Sequence, residues 1–254
     1  MRFARLGDVI LGEGRVKIIS PVLARDGEEL LARVTEMGHE PVDAVEWRID
    51  YLEDAPSIGP VLETAALLAS RSRLPVLATF RTAAEGGEKP IDDSDYRDLL
   101  LALVGSGSVA AVDVEFSRGD HVSRPVIAAA NDAGLTVVVS YHDFAGTPPA
   151  AEIAARLDAM GESGADVLKL AVMAGSPEDV LTLMQATHAA SLRIDRPLIT
   201  VSMGDLGVLS RVAGGLVGSS ATFAKVGPAS APGQVPAGEL APVLAALRRW
   251  TSAD

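Results

Sequence analysis

Short runs rich in Val, Ile and Ala alternate along this sequence with longer amphipathic stretches, and the alternation repeats eight times. The strand-like runs span residues 16–20, 44–50, 75–81, 110–116, 135–144, 166–172, 197–203 and 221–226. Eight such units in 254 residues predict an α/β fold, the (β/α)8 or TIM barrel. A hydrophobic content of 48% is enough to fill the core of such a domain.

The stretches between the runs carry helix signals. Asp26 precedes Glu29 at the spacing of a capping box, and Ser176 is followed by a proline. Gly134 and Gly164 stand where helix C-caps are expected. Helices are predicted over residues 26–37, 58–72, 124–134, 148–163 and 176–190.

Residues 3–17 precede the first strand-helix unit and are too few to form a domain. We expect them to form a β-hairpin that closes the bottom of the barrel, so that residues 1–254 make one catalytic domain. An open doubly wound sheet is the alternative architecture. It would carry a Gly-rich phosphate-binding turn after the first strand, which this sequence lacks.

Charge and composition exclude several classes of partner. The net charge is −12 and there is no basic run, so nucleic acid is not expected as a partner. Cysteine is absent, which removes disulfides and thiolate-metal sites. The apolar runs fall short of the roughly 20 residues that span a bilayer. Met1 leads into the charged "MRFARLGD" rather than a signal peptide, so we expect a soluble cytoplasmic protein.

A lysine interrupts the apolar run "ADVLKLAV", residues 165–172. Side chains of a barrel strand face the interior and the helices in turn, which places Lys169 inside with Val167 and Ala171. A buried ammonium group needs a partner or loses its proton. Lys169 is therefore either an ion-pair partner of Asp113 or Glu115, or a nucleophile that forms a Schiff base with a carbonyl.

Four other strands place polar pairs on one face near their C-terminal ends, where the active sites of such barrels lie. The pairs are Glu46 with Arg48, Thr79 with Arg81, Asp113 with Glu115, and Ser140 with His142. The alternate positions are mostly apolar: Val45, Trp47, Leu77, Phe80, Val112, Val114, Val139 and Tyr141. This pattern predicts the floor of an active site.

His142, in "SYHDF", is the histidine that shares this cluster, so we assign it general-base chemistry. Glu85 precedes a Gly-Gly pair that is either part of the site or an ordinary turn, and Arg81 is alternatively a solvated loop charge. Arg211, near the start of the helix after strand seven, is a candidate anion ligand or a surface arginine.

The motif "SAPGQ" contains Ser230 and Gln234. By default it is a Pro-Gly turn, and these two side chains contact a ligand only if the loop folds over a polyol. Asp50, Asp113 and Glu115 are assigned to a structural network inside the barrel.

Seven motifs occur in order along nearly the whole chain: "EWRID", "ATFRTAAEGG", "VDVE", "SYHDF", "LKLAVM", "SMGDLGVLSR" and "SAPGQ". In this order and spacing they resemble the type I 3-dehydroquinate dehydratases. The resemblance implies a (β/α)8 barrel, usually a homodimer, that dehydrates 3-dehydroquinate to 3-dehydroshikimate in the shikimate pathway.

The resemblance also implies roles. Lys169 forms the Schiff base, His142 is the proton-shuttling acid and base, Glu85 is the carboxylate beside it, and Arg211 holds the substrate carboxylate. The residues that match the remaining polar contacts with the substrate are Ser20, Glu46, Arg48, Arg81, Ser230 and Gln234. Met203 and Phe223 match the residues that form the apolar wall of the pocket. Val201 departs from the methionine that many members carry.

The implied chemistry needs neither a metal nor an organic cofactor, because an iminium on Lys169 serves as the electron sink. Two alternatives stay open at this stage. A Schiff-base aldolase would also use an inward lysine, and a catalytically silent barrel would use Lys169 as an ion-pair partner. The same dehydration serves both aromatic biosynthesis and quinate breakdown, and the sequence does not distinguish these roles.

Overall fold

The computed structural model of the chain describes residues 3–251. Two short antiparallel strands come first, β1 (Ala4–Leu6) and β2 (Val9–Leu11). A second sheet of eight parallel strands follows. Its strands are β3 (Lys17–Val22), β4 (Ala44–Arg48), β5 (Val76–Thr79), β6 (Ala111–Glu115), β7 (Thr136–Asp143), β8 (Val167–Met173), β9 (Leu198–Met203) and β10 (Ala221–Phe223).

The larger sheet closes on itself. Its strands are paired in the order β10-β3-β4-β5-β6-β7-β8-β9, and Leu198 at the start of β9 forms a parallel bridge with Ser219, just before β10. The amide of Ser220 donates to the Leu198 carbonyl at 2.7 Å. An open sheet has no such contact between its edge strands, so the predicted (β/α)8 barrel is confirmed and the doubly wound alternative is wrong.

Helices follow the barrel strands. They are α1 (Gly27–Met37), α2 (Ile58–Arg71), α3 (Asp93–Ser106), α4 (Asp120–Asp132), α5 (Ala150–Gly161), α6 (Pro177–Ser191), α7 (Val208–Ala213) and α8 (Ala237–Thr251). The side chain of Asp26 caps α1 by accepting from the Glu29 amide at 2.9 Å. The full reciprocal capping box forms at α6, between Ser176 and Asp179. No helix within residues 3–251 is long and apolar enough to cross a membrane.

The N-terminal hairpin lies against the bottom of the barrel, as predicted. Leu6 and Leu11 are fully buried in the apolar cluster that fills the lower interior. The Thr136 hydroxyl at the start of β7 donates to the Arg5 carbonyl at 2.5 Å, which ties the hairpin to the barrel. Leu77 also belongs to this interior cluster, so its assignment to the opposite face from Thr79 was wrong. Leu77 and Thr79 are two residues apart and therefore share a face.

The barrel interior is apolar below and polar above. Leu168, Leu170 and Val172 of β8 pack in the outer core under the helices, whereas Val167 and Ala171 belong to the interior cluster. The alternation predicted for this strand is therefore confirmed. It leaves Lys169 in the interior, at the level where charged side chains of the neighbouring strands collect.

Candidate active site

Lys169 is buried among groups that stabilise its charge. Its Nζ donates to Glu46 Oε1 at 2.6 Å, and Asp113 Oδ2 is 3.6 Å away. The Nζ also lies 4.3 Å from the centroid of the Phe223 ring, a cation–π distance. The expected ion pair with Asp113 is therefore present, while Glu115 forms no ion pair with Lys169 among the described residues. Glu46, which was not expected as a partner, is the nearest carboxylate, because the strand order brings β4 across the barrel from β8.

His142 and Glu85 form a hydrogen-bonded pair beside this lysine. Glu85 Oε2 accepts from the backbone N–H of His142 at 3.0 Å and lies 3.0 Å from the ring Nδ1. The pocket that His142 and Glu85 line also contains Lys169. The Nε2 of His142 makes no hydrogen bond to any described residue, so it is the ring nitrogen that can meet a ligand.

The pair is poised for proton transfer. Burial lowers the pKa of His142 well below its usual range, and the charges of Arg81 and Lys169 lower it further. Burial also raises the pKa of Glu85 to about 7, with Arg81 opposing the rise and Glu115 adding to it. The imidazole is therefore neutral near neutral pH, which is the form a general base requires.

Arg81 is surrounded by carboxylates. Its guanidinium lies 2.8 Å from Glu115, 3.1 Å from Asp113 and 3.2 Å from Glu85. Burial by itself lowers the pKa of Arg81, but Asp113, Glu115 and Glu85 outweigh it and hold the pKa above its usual range. Arg81 is thus no solvated loop charge. It anchors the buried network to which Asp113 and Glu115 were assigned.

Arg48 is held in a similar way. Its Nε and Nη2 donate to the two carboxylate oxygens of Asp50 at 2.8 and 2.6 Å. Asp50 in turn accepts from the backbone N–H groups of Arg81 and Glu88 at 3.2 and 3.0 Å. The bidentate ion pair fixes the Arg48 side chain at the pocket wall, and the backbone contacts of Asp50 join the loops that follow β4 and β5.

Arg211 has a different environment. It is only 2% exposed, and its side chain donates to the carbonyl oxygens of Phe223 at 3.2 Å and Pro232 at 3.1 Å. Within residues 3–251, its Nε has no hydrogen-bond partner and no carboxylate forms an ion pair with it. Burial lowers the pKa of Arg211 to about 10. A buried cation of this kind favours an anionic ligand at the pocket.

The "SAPGQ" loop lies over the same end of the pocket. Ser230 and Gln234 bond to each other: the Ser230 amide donates to Gln234 Oε1 at 3.0 Å, and Gln234 Nε2 donates to Ser230 Oγ at 3.1 Å. Gly233 has φ +75°, and a Cβ there would lie 2.1 Å from the Gly204 carbonyl oxygen. The loop therefore packs closely on the end of β9 and needs glycine at this position.

Apolar side chains complete the pocket. Met203 and Phe223, predicted as wall residues, both line it, and so does Val201. Phe144 lines it as well and was missed by the sequence analysis. Its ring packs against Gly86, where a Cβ would lie 2.3 Å from a ring carbon. The signal was present in the motif "SYHDF", where Phe144 stands two positions after His142.

Ser20 is the predicted site residue that the structure places elsewhere. It pairs in register with Val45, whose side chain packs in the outer core, and it is fully buried with no partner for its hydroxyl. Pro21 pairs with Glu46 and therefore takes the position in register with the site. A shift of one residue moves a strand side chain to the opposite face, so the expected substrate contact of Ser20 was wrong.

Comparison with known proteins identifies the family. The family model of type I 3-dehydroquinase matches residues 18–249. The chain belongs to the type I 3-dehydroquinase family. It is 42% identical over 229 residues to the 3-dehydroquinate dehydratase of Neisseria gonorrhoeae, covering 90% of each chain. This membership makes the chain an enzyme of the lyase class, a hydro-lyase.

Solved structures agree with this assignment. A type I 3-dehydroquinate dehydratase from Clostridium difficile, with covalent modified comenic acid, superposes with a TM-score of 0.94 at 38% identity and covers 98% of both chains. The 3-dehydroquinate dehydratase of Geobacillus kaustophilus gives a TM-score of 0.95 at 35% identity, covering 99% of this chain and 98% of that one. The family resemblance expected from the seven motifs is thus confirmed.

The raised pKa of Glu85 predicts a pH-dependent effect of Glu85→Gln on stability. The folded protein holds a proton on Glu85 up to about pH 7, whereas the unfolded chain releases it near about pH 4.3. Wild-type stability therefore falls with rising pH across this window, and the variant lacks that loss. Between pH 5 and 8, we expect the free energy of unfolding of Glu85→Gln to rise by on the order of 1–3 kcal/mol relative to that of wild type.

Urea unfolding at several pH values measures this difference. Glu162→Gln is the matched control, because Glu162 is exposed and its substitution should give a difference that does not change with pH. A difference between wild type and Glu85→Gln that stays constant from pH 5 to 8 would contradict the assignment of a shifted Glu85.

Proposed function

We propose that this chain dehydrates 3-dehydroquinate to 3-dehydroshikimate through a Schiff base on Lys169, as a step of the shikimate pathway. One observation carries the proposal: a lysine buried inside the barrel lies between the Glu46 carboxylate and the Phe223 ring, in the same pocket as the neutral imidazole of His142. Membership of the type I 3-dehydroquinase family supports the choice of substrate.

The first step is attack of the lysine on the substrate ketone. Before it attacks, the ammonium must lose a proton, and Glu46 Oε1, 2.6 Å from Nζ, can accept it. The amine adds to the carbonyl, water leaves, and an iminium forms. The iminium withdraws electrons from the neighbouring carbon, so its proton becomes acidic enough for a side-chain base to remove.

His142 then takes the α-proton and gives a proton to the departing β-hydroxyl. The geometry supports this assignment because Glu85 occupies Nδ1, which leaves Nε2 for the substrate. Positioned acid-base help of this kind contributes about 10²–10⁴-fold. The water that leaves in iminium formation is returned when the product is released by hydrolysis, so the net change is the loss of one water molecule.

Arg211 is assigned the substrate carboxylate. It is the buried arginine of the pocket without a carboxylate partner among the described residues, whereas Arg48 and Arg81 are already paired. Arg48 and Arg81, with Glu46, Ser230 and Gln234, are proposed to contact the hydroxyl groups, and Met203 and Phe223 the ring face. An aldolase has no particular need for such an anion site under a covering loop. A homodimer and a cytoplasmic location stay predictions from the sequence.

Lys169→Ala and His142→Ala should fail at different steps. Lys169→Ala has no amine, so we expect neither product nor adduct from a variant that keeps its fold by circular dichroism. His142→Ala retains the amine but lacks the base, so a covalent complex should accumulate. Mass spectrometry after mixing with 3-dehydroquinate detects that complex without a reductant, while product formation is followed separately.

The exposed His121 supplies the control, because it pairs with Asp93 away from the pocket and His121→Ala should behave as wild type. Substantial turnover by folded Lys169→Ala would contradict the covalent mechanism. Turnover at the wild-type rate by His142→Ala would remove the base assignment and leave the lysine assignment intact.

Arg211→Lys should weaken the reaction although it keeps the charge. The lysine ammonium is shorter and cannot make the planar, bidentate contact of a guanidinium. Its loss should cost on the order of 1–3 kcal/mol of transition-state stabilisation, measured as a lower kcat/KM. Gln234→Ala should act through the loop, because the amide that closes on Ser230 is gone. It should lower turnover while still allowing the imine to form and be trapped with borohydride.

Two measurements test these expectations for Arg211→Lys and Gln234→Ala. They are the steady-state kinetics with 3-dehydroquinate and the yield of the borohydride-trapped adduct. The control is Arg193→Lys, a surface arginine paired with Asp158, which should leave kcat/KM unchanged. If Arg211→Lys matches wild type, the carboxylate is bound elsewhere and the substrate assignment loses its main support.

A further inference from the structure

Ser117 contacts the acid-base pair from outside the pocket. It lies in the turn Phe116–Arg118, directly after β6, and its hydroxyl donates to Glu85 Oε1 at 2.5 Å. The other oxygen, Oε2, accepts from Arg81 Nη1 and from the backbone N–H of His142, and it also bonds to the ring Nδ1 of His142. Within residues 3–251, Ser117 is the one hydrogen-bond partner of Oε1. The two carboxylate oxygens of Glu85 thus have separate partners.

The turn that carries Ser117 is held in place without help from Glu85. Arg118 Nη1 donates to Asp93 at 2.6 Å, and Nη2 donates to the Ile91 carbonyl at 2.9 Å. The same guanidinium lies 5.1 Å from the centroid of the Tyr96 ring. These contacts fix the backbone on one side of Ser117, so its hydroxyl is presented to Glu85 in a defined direction.

The Glu85–His142 pair has two arrangements, of which the second holds one proton more than the first. With Glu85 ionised, the Nδ1–H of His142 donates to Oε2, and Nε2 has a free lone pair. With Glu85 protonated, the carboxyl O–H donates to Nδ1, and Nε2 carries the hydrogen. A hydroxyl that donates to Oε1 favours the ionised carboxylate. The first arrangement is the one that accepts a proton from a substrate.

We propose that Ser117 is a positioning residue that shifts Glu85 toward its ionised form and thereby favours the tautomer of His142 that acts as a base. The proposal rests on the proposed function, since that function gives His142 its role. Ser117 itself does not line the pocket and need not contact the substrate.

The charged groups around Glu85 have opposite effects on its ionisation. Arg81, from the segment after β5, favours ionisation, while Asp113 and Glu115 on β6 oppose it. On the imidazole side, the charges of Arg81, Lys169 and Arg48 all disfavour a protonated His142. Removing any of these would change the charge of the site. Ser117 is a neutral donor, so its hydroxyl can be removed while the charges stay as they are.

Ser117→Val and Ser117→Thr form a matched pair, because the two side chains have the same shape and differ by the hydroxyl. Ser117 is exposed on its outer side, which leaves room for the added methyl groups. For Ser117→Val we expect the acidic limb of the kcat/KM profile to move up by about one pH unit. Well below that limb the rate should fall about tenfold, and above it the rate should match wild type. Ser117→Thr should follow wild type throughout.

A second readout does not depend on turnover. The pH titration of the His142 ring in the free enzyme is followed by NMR, with His142→Ala used to assign its signal among the four histidines. The midpoint that reports on Glu85 should rise in Ser117→Val and in Ser117→Ala, and not in Ser117→Thr. Ser123→Ala is the control, because the Ser123 hydroxyl, in the next helix, donates to the Gly119 carbonyl and makes no contact with Glu85 among the described residues.

Unchanged midpoints in Ser117→Val and Ser117→Ala overturn the proposal, and so does a shift that Ser117→Thr shares. A wild-type enzyme that leaves 3-dehydroquinate unconverted overturns the proposed function, whereas the NMR titration still decides whether Ser117 controls Glu85. The two failures are therefore distinguishable.

Discussion

The ion pair between Lys169 and Glu46 is the contact on which the rest of the site depends. An ammonium group inside the barrel is too costly to bury alone, and Glu46 Oε1 lies 2.6 Å from it. The pair joins β8 to β4 across the interior, so it forms only when the barrel is closed. In the proposed mechanism the carboxylate that makes this burial possible also takes the lysine proton, so stability and reactivity would share one contact.

The arginines around this pair differ in whether a carboxylate neutralises their charge. Arg48 and Arg81 are bound by carboxylates and act as fixed walls. Among the described residues, Arg211 has only carbonyl oxygens as side-chain partners, so its charge is available to an anion. Glu85 is crowded by other carboxylates, and burial raises its pKa to about 7. These differences arise from position in the barrel, since the residue types themselves are ordinary.

Strand alternation explains how much was predictable from the sequence. Eight strand-helix repeats fixed the fold class, and the apolar neighbours of Lys169 fixed the side of the strand on which it lies. The closer contact of Lys169 with Glu46 was not predictable in this way, because the two residues are separated by 123 positions and periodicity does not describe pairing across a barrel. Ser20 failed for a related reason: a resemblance displaced by one residue places a strand side chain on the wrong face.

The contacts of Ser117 and Phe144 were not predictable from strand periodicity. Ser117 and Phe144 follow the ends of their strands, where no period constrains the direction of a side chain. Their contacts with Glu85 and Gly86 depend on turns whose geometry is set by distant anchors such as Arg118 and Asp93. The sequence named the residues to which we assign the chemistry, and the structure was needed to find those that hold them in place.

The central claim is that substrate becomes covalently attached to Lys169. Its most direct test is to mix the wild-type enzyme with 3-dehydroquinate, reduce with borohydride, digest, and locate the modified peptide by mass spectrometry. The account predicts loss of activity together with a stable adduct on the peptide that contains Lys169, and no adduct when substrate is omitted. An active enzyme that yields no adduct, or one whose adduct maps to another lysine such as Lys225, would contradict it.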